Sequence, residues 1–177
     1  METWDKPVTN VEVDSSKVKL PTNRKEAIDI VGKMSKPFVN TDQGKEFVLS
    51  NTDIKHIATQ DNSHQKIDVK CLGVVDQIIK NAVKIGNDKV PAEEVGHTRA
   101  VEIYYCPVKI DSKQYSARLV VKEYENRGVV LDDLHLYDIA AKERKPVAVS
   151  RGTGTKALTP SSASGSGYKV KDLIHST

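Results

Sequence analysis

The stretch from Arg99 to Ile139 constrains the fold most, because three β-type runs follow one another there with two turn signals between them. RAVEIYYCPVKI runs from Arg99 to Ile110, Asp111-Ser112-Lys113 turns the chain, and QYSARLVVKEY runs from Gln114 to Tyr124. Glu125-Asn126-Arg127-Gly128 then leads into VVLDDLHLYDIA, Val129 to Ala140. β-Branched and aromatic residues bounded by Asp, Ser, Asn and Gly predict an antiparallel meander. In the middle run Tyr115, Ala117, Leu119 and Val121 alternate with Ser116, Arg118, Val120 and Lys122. One face is therefore expected in a core, while the other carries cations and is left for a helix, a partner or a substrate.

The preceding residues supply the cover for the apolar face. Met1 to Pro21 reads as an extended arm able to add one edge strand, and Thr22 or Asn23 then caps a helix from Arg24 to about Met34. Phe38-Val39 and Phe47-Val48-Leu49 flank a Thr41-Asp42-Gln43-Gly44 turn and predict a short hairpin. A short helix follows from Asn51-Thr52-Asp53. The longest helical pattern then runs from Ile67 to Ile85, with Leu72, Val75, Ile78, Ile79, Ala82 and Val83 on one stripe. Lys89 to His97 reads as a loop. The expected fold class is α+β: N-terminal helices and a short hairpin, followed by a three- to four-stranded antiparallel meander packed on a long helix.

After Ala141 the composition shifts to charge and then to Gly, Ser and Thr, which cannot bury enough apolar surface to order itself. The expected division is an arm over residues 1–21, an α+β domain over 22–140, a flexible linker over 141–167 and a short docking segment over 168–177. That last segment carries Tyr168, Val170, Leu173 and Ile174.

Several function classes are disfavoured. The formal charge of +3 in 177 residues does not imply strong non-specific nucleic-acid binding through charge alone. No apolar run approaches the roughly 20 residues that cross a bilayer, and METWDKPVTN has no signal-peptide pattern. There is no Walker loop, dinucleotide fingerprint, paired-cysteine zinc spacing or HExxH helix, so neither cofactor nor metal is expected. Cys71 and Cys106 sit in apolar runs and read as core thiols.

The residues left for chemistry are those that metal-free RNA cleavage needs: an acid, a base and cations around the phosphate. His56, His64 and His97 fall in or beside loops at element ends, and Arg118, Lys122, His135 and Tyr137 project from one sheet face if the alternation holds. Each also has a structural reading. Histidines cap and pack, alternating charges solvate a strand, and tyrosines such as Tyr115 and Tyr137 fill sheet edges.

The order of these pieces resembles a family. Ile54-Lys55-His56 in a short helix, His64 after it, Ile79-Lys80-Asn81-Ala82-Val83, then His97, Tyr104-Tyr105-Cys106-Pro107-Val108, Gln114-Tyr115, Val120-Val121-Lys122 and Leu136-Tyr137-Asp138 are similar to large polyvalent protein-associated domains of phages and mobile elements. The likeness covers roughly residues 25 to 140. It implies grouping with the barnase, EndoU, colicin and RelE-like nucleases, whose helices precede an antiparallel sheet that holds RNA. It places Lys55, His64, His97 and Tyr137 at the catalytic positions, and Lys169 to Ile174 resembles the end of such proteins, implying a toxin or effector-like domain of a larger polypeptide.

The first expectation is thus a metal-independent endoribonuclease acting in the cytoplasm on RNA, tRNA among the candidates. His64 or His97 serves as base or acid, Lys55 and Lys122 as phosphate stabilisers, Tyr137 as a hydroxyl or acid, and Arg118, His56 and His135 as substrate contacts. A cognate immunity or partner protein accompanies this reading. The alternative is a non-catalytic protein-binding module using the sheet face or the C-terminal segment. An immunity protein ranks third, since the surface is not strongly acidic. Docking of Tyr168 to Ile174 over the sheet, or histidines on different sides of the molecule, weighs against catalysis.

Overall fold

The three runs form long antiparallel strands in the computed structural model, which describes residues 5–59, 65–139 and 168–174. β1 is Pro7–Val8 and β2 Val11–Val13, α1 spans Arg24–Gly32, and β3 (Phe38–Asn40) and β4 (Lys45–Val48) make the expected hairpin. α2 (Asn51–Ala58), α3 (Gln65–Cys71) and α4 (Val75–Asn81) precede β5 (Val83–Asp88), and β6 (Thr98–Ile110), β7 (Lys113–Tyr124) and β8 (Gly128–Asp138) form the meander. β9 (Tyr168–Lys169) runs straight into α5 (Val170–Ile174).

The class is α+β, but the expected three- to four-stranded sheet on a long helix is corrected in two ways. First, the sheet has seven strands and is mixed: the order is β2-β6-β7-β8-β4-β3, with β5 also on β6. β2 lies parallel to β6 through Val11↔Val108, and β4 lies parallel to β8 through Phe47↔Val129. The arm thus contributes two strands, since β1 pairs β9 in a separate two-stranded sheet. Such parallel joins need long crossovers and leave no local turn signal in the sequence.

Second, the pattern over Ile67 to Ile85 is not one helix. α3 ends at Cys71, Leu72–Val74 forms a tight 3-10 turn, and α4 stops at Asn81, after which Ala82 is extended. A Cβ on Gly73 would lie 2.8 Å from Pro21 Cδ, so the chain closes on the arm at that point. Val83 and Ile85 then alternate with Lys84 and Gly86 as strand residues along β6. α1 likewise ends at Gly32, two residues short of Met34. Its cap is Asn23, whose side chain accepts the Glu26 N–H at 2.9 Å. Ser50 caps α2, and its backbone N–H donates in return to Asp53.

The main core lies between the helices and one face of the sheet. Ala27, Val31, Ile54, Ile57, Leu72, Val75, Ile78 and Ile79 meet Tyr104, Cys106, Val108, Tyr115, Ala117, Leu119, Val121, Leu134 and Leu136. Both cysteines are buried free thiols, and burial pushes each well up.

The sheet curls until the β3–β4 hairpin meets β5, and charged groups hold the meeting. Asp42 accepts the Lys84 backbone N–H at 3.1 Å and pairs with Lys6. Glu102, 3% exposed, takes Lys45 Nζ at 2.8 Å and Lys84 Nζ at 3.0 Å on one oxygen and the Tyr104 hydroxyl at 2.9 Å on the other. Burial alone would raise the Glu102 carboxyl, but the bonds from Lys45, Lys84 and Tyr104 outweigh it and the group stays below the usual carboxylate range. A carboxyl depressed in the folded state stabilises above its unfolded pKa, and that contribution fades as pH falls through the folded value. Glu102→Gln is expected to cost about 2–3 kcal/mol at pH 7. Urea titrations of parent and variant should therefore converge as pH drops below about 4.

Candidate functional site

The second sheet face divides into a polar half and an apolar half. Strand register places Tyr105, Arg118 and His135 in one cross-strand row, with Tyr137 beside Ser116 one step along. The His135 and Tyr137 rings meet edge-on with centroids 4.5 Å apart. β4 pairs β8 only at Val129 and Val130, so the outer edge of β8 beyond them faces α3. There Asp68, fully buried, accepts the Leu136 backbone N–H at 2.9 Å on Oδ1 and meets His135 Nδ1 at 2.9 Å on Oδ2. Asp68 thus continues the ladder of the sheet and fixes the imidazole at once. Burial raises the Tyr137 hydroxyl, Arg118 opposes this, and Tyr105, Asp133 and Asp68 add to it, so Tyr137 stays protonated at neutral pH.

Arg118, His135 and Tyr137 therefore come together, as the strand alternation predicts. Lys122 and His97 lie at the other end of the face, around Glu94. Lys122 Nζ is 2.9 Å from Glu94 and 3.5 Å from Asp132. Thr98 Oγ1 is 3.2 Å from Glu94, and the exposed His97 stacks on Tyr124 at 6.4 Å. The hydrogen bond from Lys122 holds the Glu94 carboxyl below its ordinary range. Tyr124 pairs with Thr98, and Arg118 pairs with His135 six residues away on β7. That separation is about 20 Å, beyond the reach of one proton-transfer site. Lys55 and His56 point to solvent from α2, whose buried side is Asp53, Ile54, Ile57 and Ala58, and do not join either group. His64 lies outside the described residues. Tyr115 belongs to the main core.

The apolar half of the face is occupied by the C-terminal segment. Val170 and Leu173, each 0% exposed, pack with Val8, Val83, Ile103, Tyr105 and Ile139. β9 pairs antiparallel with β1, the Val170 N–H donates to Lys6 O at 3.1 Å, and Ser116 Oγ donates to Leu173 O at 3.3 Å. The expected linker over 141–167 lies outside the described residues.

Sequence reasoning missed Asp68 and Glu94. A signal for Asp68 existed: it falls on the stripe Asp68, Leu72, Val75, Ile79, where a carboxylate among aliphatic residues implies a buried partner. Glu94 had no such signal, because it stands in a loop pattern. Among the described residues no group of three or more His, Cys, Asp or Glu side chains could hold a metal ion. No described helix is long and apolar enough to cross a membrane.

The dyad has a spectroscopic consequence. An ionised Asp68 only accepts, so Nδ1 of neutral His135 carries the proton in the parent. In Asp68→Asn the amide oxygen keeps the Leu136 N–H and the NH2 group turns to the imidazole, which moves the proton to Nε2. Nitrogen-15 NMR of the imidazole should report this tautomer exchange, while an unchanged tautomer would remove Asp68 as the group that orients His135.

Comparison with known proteins adds one match: the family described as Large polyvalent protein-associated domain 3 fits residues 19–132, more than half of the chain. No curated protein and no solved structure matches it. The matched region runs from before α1 into β8; it leaves out β1, β2, His135, Tyr137 and the C-terminal segment. By this match the chain belongs to the large polyvalent protein-associated domain 3 family.

Proposed function

We propose that the chain is a non-catalytic protein-binding module of a polyvalent protein from a phage or mobile element, working through the second sheet face and its C-terminal segment. The observation that carries this reading is the seating of Val170 and Leu173 on Val8, Val83, Ile103 and Tyr105. Uncovered, these residues form an apolar patch beside a polar margin of Arg118, His135 and Tyr137, the kind of surface on which proteins hold partners. In this reading residues 1–21 are the arm that supplies β1, 22–140 the domain, 141–167 a tether and 168–177 the docking element.

A second reading keeps RNA as substrate, and one observation favours it: Asp68, His135, Tyr137 and Arg118 stand together on one face. His135, oriented by Asp68, would take the ribose 2′-hydroxyl proton, Arg118 would hold the phosphate and Tyr137 would protonate the leaving oxygen. The antiparallel run β5–β6–β7–β8 behind a set of helices also accords with a barnase, EndoU, colicin and RelE-like grouping. Against it, the other candidate cation on the face, Lys122, is already paired with Glu94 and Asp132.

Incubation of total cellular RNA with the purified chain in excess chelator separates the two. The binding-module reading expects no fragments, with identical lanes for the parent and His135→Ala. Defined fragments from the parent, lost in His135→Ala and in Arg118→Ala, would replace it with a nuclease centred on His135. Lys55→Ala should leave either outcome unchanged, since Lys55 stands apart on α2.

A further inference from the structure

The C-terminal segment is held as one protein holds a peptide from another. Its first two residues add an antiparallel strand to β1, with Pro7 opposite Lys169 and Val8 opposite Tyr168. The chain then makes one helical turn, begun by Asp172 accepting the Lys169 N–H at 2.8 Å, and this turn drives Val170 and Leu173 into the apolar floor. Backbone contacts to Lys6 O and Ser116 Oγ fix both ends of the turn, and Lys171 faces Asp5 at 3.1 Å. Strand addition supplies directional hydrogen bonds, and two side chains at i and i+3 supply the anchors; short linear peptides are recognised by the same two devices. Residues 140–167 separate the segment from Ile139, so its contacts do not depend on immediate chain continuity.

We propose that this groove, floored by Val83, Ile103 and Tyr105 and edged by β1, is a docking site for a short peptide presented by a partner protein. The peptide it fits has a two-residue strand with an aromatic at its first position, then one helical turn with aliphatic residues three apart and a basic residue between them. Tyr168–Ile174 is its resident occupant in cis. The inference rests on the binding-module reading and names the partner's chemistry. Because the resident segment belongs to the same chain, its docking is intramolecular, and a partner must compete with it or bring further contacts. In the intact chain the site is therefore self-occupied.

The test uses the full chain with a protease site inserted between Gly152 and Ser164, and a fluorescent peptide of sequence GYKVKDLIHST, Gly167 to Thr177. Before cleavage, peptide at about 100 µM should bind to less than roughly a tenth of the chain, because the cis segment outcompetes it. After cleavage and dilution the resident fragment exchanges, and fluorescence anisotropy should show at least about ten-fold more binding. A peptide carrying Leu173→Asp should not bind. Full-length Leu173→Asp gives a second measurement, since it should stay folded by circular dichroism and bind the parent peptide without cleavage.

Failure of the parent peptide to bind both the cut chain and Leu173→Asp would overturn the proposal. So would loss of the fold in both, which would make the segment part of the core rather than a ligand. Neither result bears on RNA. Fragments in the chelator assay would instead remove the binding-module reading, whatever the peptide does.

Discussion

The ladder between β6 and β7 is the constraint on which the rest of the molecule depends. It runs from Thr98↔Tyr124 to Ile110↔Lys113 and gives β6 a second edge long enough to carry two different strands. β5 takes Val101 to Tyr105 on that edge, and β2 takes Val108 to Ile110, one antiparallel and one parallel. On the other side β7 carries β8, which in turn carries the hairpin. A slip of one residue in this ladder would exchange the faces: Leu119 and Val121 would leave the core, and Arg118 and Lys122 would enter it.

Each face of the sheet then meets a different fate. The first is filled by helices and by Phe38 and Phe47 of the hairpin, and Glu102, a buried carboxylate on β6, pairs with two lysines and accepts a hydrogen bond from a tyrosine. The second face is smaller in apolar content and is closed by pieces from the two ends of the described chain, β1 and the β9–α5 segment. Where those pieces stop, a polar margin begins with Arg118, His135 and Tyr137. The family match spans the first arrangement almost completely and omits both pieces that close the second.

Asp68 shows how a single buried carboxylate joins fold and site. It replaces a missing strand at the edge of β8 by accepting the Leu136 N–H, and its other oxygen sets the His135 ring. An unsatisfied backbone donor at that edge would cost about 1–3 kcal/mol, so the residue has a structural reason to be there. The imidazole orientation follows as a consequence.

The local patterns were legible in the residues alone. Period-two alternation in Tyr115 to Lys122 fixed which side chains line the core, Asp111-Ser112-Lys113 and the turn at Gly128 fixed the meander, and Asn23 and Gly44 fixed a helix start and a hairpin turn. The same alternation put Arg118, Lys122, His135 and Tyr137 on one face, because strand geometry converts spacing directly into direction. Long-range packing set the parallel joins of β2 and β4, the break at Gly73, the change from helix to strand at Val83, the Asp68–His135 contact and the covering of the second face. These depend on partners far along the chain. The apolar residues Ile78, Ile79, Ala82, Val83 and Ile85 suit a buried helix and a buried strand equally until their neighbours are fixed, because hydrophobic burial is non-directional and the choice falls to the hydrogen-bonding edge that β6 leaves open.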